Sequence, residues 1–257
     1  MTHLLTRTLA LSGLLLAANT HAATYLIDFN TAQSGSYPDA STWNVYAATG
    51  DVTGTLTDTT GASSSITIAG SGDFLTSSGS GMYNSGVGAP SWTDATAPAG
   101  DFFWTGNTIG SELSYTVSFS GLTAGSEISL DVFASRSSSL LLLANYEYSL
   151  DGGTSWLGFD VLDINGDAVT TDGWDTNTTA TQLYDNDADG YTLGRYMNIS
   201  GITLTETTLD VRLTKPADVS NYAGINSMQL TVIPEPSTYI IPLFIFGVAL
   251  LMVRRKG

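Results

Sequence analysis

The sequence predicts an all-β fold, a β-sandwich domain with an N-terminal signal peptide and a C-terminal single hydrophobic helix. Between residues 23 and 233, short β-branched and aromatic runs recur about every ten residues, separated by Gly, Asn and Asp. No stretch between the two ends has a helical period of apolar residues. The strand spacing alone allows either a sandwich or a closed barrel.

The strands follow from alternation of apolar and polar residues. The segment 112–119 alternates without a break, placing Leu113, Tyr115, Val117 and Phe119 on one face. The run that ends in Asp151-Gly152-Gly153 indicates a hairpin. In order, the predicted strands are 24–30, 43–46, 52–57, 65–69, 112–119, 127–134, 140–150, 156–164, 191–199, 208–213 and 225–233.

The segment 70–110 is predicted to be a long loop rich in glycine and aromatic residues. Long connections without regular structure are uncommon inside compact domains and are often functional. The aromatic residues argue against disorder, because disordered segments are usually poor in them.

The N-terminus has the pattern of a secretory signal peptide. A weakly basic start precedes an apolar run, and Thr20-His21-Ala22 supplies small residues before a cleavage point after Ala22. We therefore expect a signal peptide at 1–22, cut by signal peptidase, and a β-sandwich domain at 23–233.

Composition excludes several classes of function. The chain has 24 acidic and 8 basic residues and a net charge of −16, and half of the basic residues lie in the terminal segments. Such a surface repels nucleic acid, so we expect no nucleic-acid binding. There is no cysteine, and both histidines, His3 and His21, lie in the predicted signal peptide. Ser-His-Asp and Cys-His catalysis and His/Cys metal sites are therefore excluded from 23–233.

Carboxylates are still available as catalytic groups, since a glycosidase needs only two of them at a suitable separation. No pair stands out in the sequence. We therefore predict a protein that is not an enzyme, with a carboxylate-based polysaccharide hydrolase or lyase of the envelope as the alternative.

The C-terminal segment 234–257 has three consecutive parts. Pro234, Glu235 and Pro236 come first, an apolar span at 239–253 follows, and Arg254, Arg255 and Lys256 close the chain. A fifteen-residue helix would be about 22 Å long against about 30 Å of bilayer hydrocarbon. That length is short for a permanent anchor and adequate for transient insertion, with the basic end cytoplasmic.

These three parts resemble the PEP-CTERM sorting signal of Gram-negative bacteria. The resemblance implies recognition by an exosortase, cleavage near the Pro-Glu-Pro motif, and passage through an inner-membrane intermediate. It also implies delivery of an exported protein to the cell surface or to extracellular polysaccharide. It says little about the function of residues 23–233.

The central region resembles galactose-binding-like jelly rolls. The motifs are 25–30 (YLIDFN), 121–125 (GLTAG), 133–136 (FASR) and 223–230 (AGINSMQL). The resemblance implies a jelly roll in which the first and last strands are neighbours.

One acidic motif predicts a calcium site. Asp185, Asp187 and Asp189 occupy positions 1, 3 and 5 of an EF-hand-type loop, Gly190 follows, and the carbonyl of Tyr191 would be position 7. The twelfth position is not the required Glu, and Asp and Asn are common in plain turns. Calcium binding and a solvated acidic turn therefore both remain open.

Four aromatic residues are candidates for stacking on sugar rings: Trp92, Phe103, Trp104 and Trp174. Core packing is the competing interpretation for each, because tryptophan is usually buried.

Arg136 and Arg212 are interpreted as partners of carboxylates. The segment 149–156 (SLDGGTSW) resembles an Asp-box, which we interpret as a structural hairpin with Asp151 accepting turn amides. These patterns predict an exported protein that binds carbohydrate or has a structural role.

Overall fold

The structure is a computed structural model of the 257-residue chain. It describes residues 22–30, 43–47, 52–73, 76–78, 92, 102–104, 112–134, 143–163, 167–168, 181–182, 195–215, 217 and 224–235. By its contacts the chain divides into Ala23–Val232 and a unit made of Met1–Ala22 and Ile233–Gly257. The sheets belong to the first unit.

Every regular element among the described residues is a β-strand. In chain order they are β1 (Ala23–Asn30), β2 (Trp43–Ala47), β3 (Val52–Thr57), β4 (Ser63–Gly72), β5 (Thr76–Ser78), β6 (Phe102–Trp104), β7 (Leu113–Ser120), β8 (Glu127–Phe133), β9 (Leu143–Ser149), β10 (Leu157–Gly158), β11 (Asp160–Asp163), β12 (Thr181–Gln182), β13 (Arg195–Thr203), β14 (Thr208–Lys215), β15 (Gly224–Ile225) and β16 (Ser227–Ile233).

The strands form two large sheets and one small one. The six-stranded sheet has the order β11-β13-β8-β16-β1-β2, and β1 pairs with β16 antiparallel from Ala23↔Val232 to Asp28↔Ser227. The seven-stranded sheet runs β10-β9-β14-β7-β4-β3, with β12 also paired to β9. A small sheet of order β15-β6-β5 completes the set. The adjacent first and last strands are those expected from the jelly-roll resemblance.

The core lies between the two large sheets. Alternate residues of each strand point inward, as Leu130 and Val132 of β8 and Val211 and Leu213 of β14 do, all four at 0% exposure. Burying an aliphatic side chain of this size contributes about 1.5–3 kcal/mol to stability. The two facing sheets confirm a sandwich rather than a closed barrel.

The two ends of the sandwich differ. At one end, which we call the turn end, the connections are short: 58–62 joins β3 to β4, 121–126 joins β7 to β8, and 204–207 joins β13 to β14. β1 begins and β16 ends there, since Ala23 pairs with Val232. The backbone N–H of Thr59 donates to the carbonyl of Thr24 at 2.9 Å and joins the sheets at this end.

At the opposite end, which we call the loop end, β1, β4, β8, β11 and β14 finish, and β7, β9, β13 and β16 start. The hydroxyl of Tyr146 on β9 donates to the carbonyl of Gly224 at 2.7 Å. Asn226 links Phe29 to Phe133 through backbone hydrogen bonds of 2.9 and 3.0 Å. The first contact ties the seven-stranded sheet to the small sheet, and the second joins the ends of β1 and β8 within the six-stranded sheet.

Most strand predictions agree with the structure, and three need correction. The predicted loop 70–110 contains β5, β6 and the last residues of β4, because its Thr, Ser and Phe residues pair with each other and with β15. The predicted strand 156–164 is two strands: β10 pairs with β9 and β11 with β13, so the chain passes from one sheet to the other at Phe159. The strand predicted at 191–199 continues to Thr203 past a register shift between Ile199 and Ile202.

Candidate functional site

An aromatic pair lies at the loop end beside the six-stranded sheet. The rings of Trp92 and Tyr196 meet edge to face, with centroids 6.5 Å apart and an interplanar angle of 83°. Tyr196 is the second residue of β13, and its neighbour Met197 points into the core at 0% exposure. Because successive side chains of a strand alternate, Tyr196 lies on the outer face of the sheet. Trp92 therefore covers part of that outer face.

A polar pair continues the same face. Asn198 follows Tyr196 by two residues, a step of about 6.6 Å along a strand. Its Nδ2 donates to Oδ1 of Asp131 at 2.6 Å, and the two residues are directly opposite each other on β13 and β8. We call Trp92, Tyr196, Asn198 and Asp131 the Trp92 patch.

The carboxylate of the Trp92 patch is poorly solvated. Burial raises the pKa of Asp131 above its ordinary value of 3.8, and the hydrogen bond from Asn198 partly opposes that shift. A desolvated carboxylate accepts hydrogen bonds more strongly than one in water. The strand therefore holds a costly charge where packing alone would favour an apolar or neutral side chain.

A second polar atom of the patch lacks a partner. The indole Nε1 of Trp92 is buried and has no hydrogen-bond acceptor among the residues that the structure describes. Buried N–H groups are normally paired. The patch thus combines a buried indole N–H, one carboxylate acceptor, one amide and two aromatic rings.

This combination is suited to a neutral, hydroxyl-bearing ligand. Ligand sites are mostly apolar and aromatic surfaces carrying a few placed polar groups that fix orientation. Aromatic faces can stack on the C–H side of a sugar ring, while the carboxylate and amide bond its hydroxyls.

The predicted ligand-binding residues divide into three groups. Trp92 has its ring in the Trp92 patch. Phe103 and Trp104 lie on β6, the middle strand of the small sheet, where Trp104 pairs with Thr76 and Gly224. Their backbone is thus at the loop end, next to the start of β16. Trp174 lies outside the described residues.

The predicted calcium ligands Asp185, Asp187, Asp189 and Tyr191 also lie outside the described residues. Their segment is bounded by Gln182, which pairs with Leu143, and by Arg195, which pairs with Asp163; both pairs are at the loop end. In the part of the chain that is described, no group of three acidic residues is arranged to hold a metal ion.

The sorting motif lies mostly beyond the described residues. Pro234 and Glu235 directly follow β16, whereas Pro236, Arg254, Arg255, Lys256 and the span 239–253 are outside the description. The described residues include no helix long and apolar enough to cross a membrane.

The Asp-box-like hairpin has the predicted structural role. Asp151 Oδ1 accepts the backbone N–H of Thr154 at 3.0 Å and of Ser155 at 2.9 Å, and Ser149 Oγ accepts that of Gly153 at 2.8 Å. Gly152 and Gly153 have φ of 67° and 82°, a conformation open to glycine. Hydrogen bonds from the hydroxyl and backbone N–H of Ser155, from the Ser149 hydroxyl and from the Thr154 N–H lower the pKa of Asp151 to about 2.

Arg212 pairs with a carboxylate, as predicted. Its Nη2 lies 2.6 Å from Oε2 of Glu147, and its guanidinium carbon is 4.0 Å from the ring centroid of Trp156. One face of Trp156 is thereby covered. Arg136 lies outside the described residues.

Sequence reasoning did not select Tyr196, Asn198 or Asp131 as site residues. Asp131 carried no distinct signal, because it occupies a regular outward position in an alternating strand that also has Glu127 and Ser129. Tyr196 stands at the twelfth position of the predicted calcium loop, where Glu is required. Their meeting with Trp92 depends on the pairing of β8 with β13, which one strand alone does not reveal.

No family model matches this chain, and no curated protein matches it. Among solved structures, it is similar to TmCBM61 in complex with β-1,4-galactotriose, at 13% identity and TM-score 0.31 over 63% of this chain and 86% of that one. It is also similar to CBM32-3 of a family 31 glycoside hydrolase from Clostridium perfringens, at 15% identity and TM-score 0.29 over 52% and 76%. Both are carbohydrate-binding modules.

A third similar structure is the enzymatically active domain of bacteriophage CBA120 tailspike protein 4, at 14% identity and TM-score 0.30. The match covers 65% of this chain and 19% of the tailspike chain. At these TM-scores the likenesses carry no argument about a ligand. The fold class stands on the strand pairing of this chain itself.

Proposed function

We propose that this is an exported, non-catalytic protein that binds neutral carbohydrate at the Trp92 patch. The observation that carries the proposal is the edge-to-face contact of Trp92 and Tyr196 at 6.5 Å, beside the Asn198–Asp131 hydrogen bond of 2.6 Å. A sugar ring needs both an apolar face to stack on and polar groups at its edge, and the patch supplies them on one side of the sheet.

Charge favours a neutral ligand over an anionic one. The chain carries a net charge of −16, and the patch itself contains the carboxylate of Asp131. An acidic polysaccharide would meet repulsion from both. Extracellular polysaccharide built from neutral sugars is therefore the proposed partner.

The same sheet offers one observation in favour of the hydrolase alternative. Asp160 and Asp131 lie opposite Asn198 on its two sides, so two strand spacings, about 9.6 Å, separate their backbones. Inverting glycosidases hold their carboxyl groups about 6.5–9.5 Å apart, a separation that side chains on one face of two such backbones can reach. Release of reducing sugar by the wild type, lost in both Asp131→Asn and Asp160→Asn, would establish this function instead.

We further propose that an exosortase sorts the protein through its C-terminal segment to the cell surface or extracellular matrix. β16 ends at Ile233 at the turn end, so the chain leaves the sandwich opposite the Trp92 patch.

The binding proposal is tested with purified full-length protein in detergent and a panel of neutral glucose, galactose, mannose and xylose oligosaccharides. Saturable binding that Trp92→Ala removes is the expected result. Absence of binding to the whole panel would refute the proposal.

Sorting is tested in the native host. Glu235→Ala and Pro236→Ala should accumulate an uncleaved, membrane-retained form, because the motif that marks the cleavage site is altered. Normal processing of both variants would show that the segment is not a sorting signal.

A further inference from the structure

We infer that the carbohydrate bound at the Trp92 patch is an extended chain that crosses the outer face of the six-stranded sheet, from Asn198 on β13 to Trp43 on the edge strand β2. This inference rests on the proposed function and makes Trp43 a specificity-determining residue for chain length. Four strand spacings, about 19 Å, separate β13 from β2. A row of several linked sugar rings fits that distance, and a single ring does not.

Trp43 points away from the core. Its neighbour Asn44 is turned toward the opposite sheet, because its side chain donates to the carbonyl of Thr57 on β3 at 2.8 Å and accepts the Thr57 N–H at 2.8 Å. Tyr46 is turned the same way, since a Cβ atom added at Gly54 of β3 would lie 2.7 Å from its Cε1. Side chains alternate along a strand, so Trp43 lies on the outer face, where it is partly exposed.

Outward residues lead from Trp43 toward the Trp92 patch. Leu26 on β1 lies directly opposite Trp43 on β2 and directly opposite Gln229 on β16. Their neighbours Ile27 and Met228 point into the core at 0% exposure. Leu26 and Gln229 are therefore on the outer face, and both are partly exposed.

The pairing of β16 with β8 brings these residues to Asp131. The N–H of Asn226 donates to the carbonyl of Phe133 at 3.0 Å, so these two residues lie side by side. Gln229 is three residues and Asp131 two residues from this bond, both toward the turn end, which leaves them about 3.3 Å out of step along the strands. We call the outward residues on the five strands the transverse row: Asn198, Asp131, Gln229, Leu26 and Trp43.

The transverse row runs beside a step in the surface. On β8, β16 and β1, the next outward residues toward the loop end are Phe133, Ser227 and Asp28, and each is at 0% exposure. The next outward residues toward the turn end on β8 and β16, Ser129 and Thr231, are partly exposed. The outer face is thus covered on one side of the row and open on the other. A chain lying across the strands would contact the sheet below it and the step beside it.

The chemistry of the transverse row favours a neutral polysaccharide. Trp43 supplies an aromatic surface at one end and Tyr196 of the Trp92 patch supplies one at the other. Between them, Gln229 can donate and accept hydrogen bonds, and Asp131 accepts them. Linked sugar rings repeat this combination of apolar faces and hydroxyls. A second copy of this chain, with a net charge of −16, would be repelled instead.

The test titrates disaccharides and hexasaccharides of the four panel sugars into the full-length protein. For the sugar that the wild type binds, we expect the hexasaccharide to bind about tenfold more tightly than the disaccharide. Trp43→Ala should lose this gain and leave disaccharide binding unchanged, because only the longer chain reaches β2. If Trp43→Ala is too unstable to titrate, Gln229→Ala decides: it should weaken hexasaccharide binding about threefold, and wild-type affinity would overturn the inference.

Trp156→Ala is the matched control, since its ring lies against Arg212 of the seven-stranded sheet. It should keep the wild-type difference between the two lengths. Equal affinity of the wild type for both lengths, or equal weakening of both by Trp43→Ala, would overturn the inference and leave the proposed function intact. A wild-type dimer that Trp43→Ala dissociates would assign the row to a second copy and also overturn it. Failure of the wild type to bind any panel member would refute the proposed function as well.

Discussion

Asn198 and Asp131 face each other across two central strands of the six-stranded sheet, joined by a hydrogen bond of 2.6 Å from Nδ2 to Oδ1. Neither residue contributes to the hydrophobic core, whose members at neighbouring positions are Met197, Ile199, Leu130 and Val132. The pair lies on the outer face of the sheet, where β8 also carries Glu127 and Ser129. Since it lies next to Tyr196, it connects the aromatic part of the Trp92 patch to its polar part.

The first prediction concerns the loss of folding stability caused by the partly buried carboxylate of Asp131. Burial raises the pKa of Asp131, so the folded state binds its proton more tightly than the unfolded state does. Ionised Asp131 therefore destabilises the fold, and this penalty is present at neutral pH and absent below the ordinary pKa of 3.8. Asp131→Asn should raise the thermal midpoint at pH 7, with no gain below about pH 3.5.

The same variant should bind oligosaccharide about tenfold more weakly, because a charged acceptor is replaced by a neutral one. A gain in stability with a loss of binding is typical of functional residues. Glu206→Gln, which changes an exposed carboxylate in the turn between β13 and β14 at the turn end, is the control. A lowered midpoint in Asp131→Asn at pH 7 would contradict the account.

The second prediction concerns the turn end. The pKa of Asp151 is lowered to about 2 by bonds from Ser155, Ser149 and Thr154. The unfolded chain therefore takes up its proton first, and the stabilisation is lost as pH falls from about 4 toward about 2. The thermal midpoint of the wild type should drop more across this interval than that of Asp151→Asn.

Asp58 supplies an independent case, because Thr60 and Ala62 lower its pKa in the turn between β3 and β4. Asp58→Asn should likewise flatten the acid dependence. If the thermal midpoints of the wild type and both variants fall in parallel as the pH is lowered, the hydrogen bonds of these turns do not contribute pH-dependent stability.

The third prediction separates two contacts of Arg212. Arg212→Ala removes both the ion pair with Glu147 and the contact with Trp156, so unfolding free energy should fall by about 1 kcal/mol. Glu147→Gln removes only the charge pairing and should cost less, with a loss that shrinks as salt increases. Urea unfolding at two ionic strengths measures both, and equal losses would show that the ring contact contributes nothing.

The fourth prediction concerns calcium, for which the motif at Asp185, Asp187 and Asp189 remains a prediction from the sequence. A ligand that binds only the folded state raises its stability by mass action. Millimolar Ca²⁺ should raise the thermal midpoint of the wild type, and chelator should reverse the rise. Asp187→Ala should not respond, and equal midpoints with and without Ca²⁺ in the wild type would exclude the site.

Much of the fold was predictable because period-two alternation reports directly on a sheet with one buried face. The clearest case is β7, whose predicted inward residues Tyr115, Val117 and Phe119 are all buried. The Asp-box-like hairpin was equally accessible, since its hydrogen bonds join residues within a few positions of each other. Patterns within a few neighbouring residues therefore predicted the structure of those same residues.

The Trp92 patch was less predictable for a physical reason. Trp92 was selected as an aromatic residue, but its neighbours depend on the register of β8 against β13 and on which sheet end each strand reaches. The break at Phe159 illustrates the same limit: alternation continues through it while the chain changes sheets. The alternation of apolar and polar residues in one strand does not determine which distant strand pairs with it.

The fifth prediction tests the central claim directly through calorimetric titration of neutral oligosaccharides into wild type and Tyr196→Ala. Tyr196 touches Trp92 and precedes Asn198, so its loss removes an aromatic surface from the middle of the patch. Leu157→Ala, an apolar residue with 50% exposure on β10, is the control. Saturable binding by wild type and Leu157→Ala, weakened at least about tenfold in Tyr196→Ala, is the predicted result; equal affinity in all three proteins would contradict a binding site at the Trp92 patch.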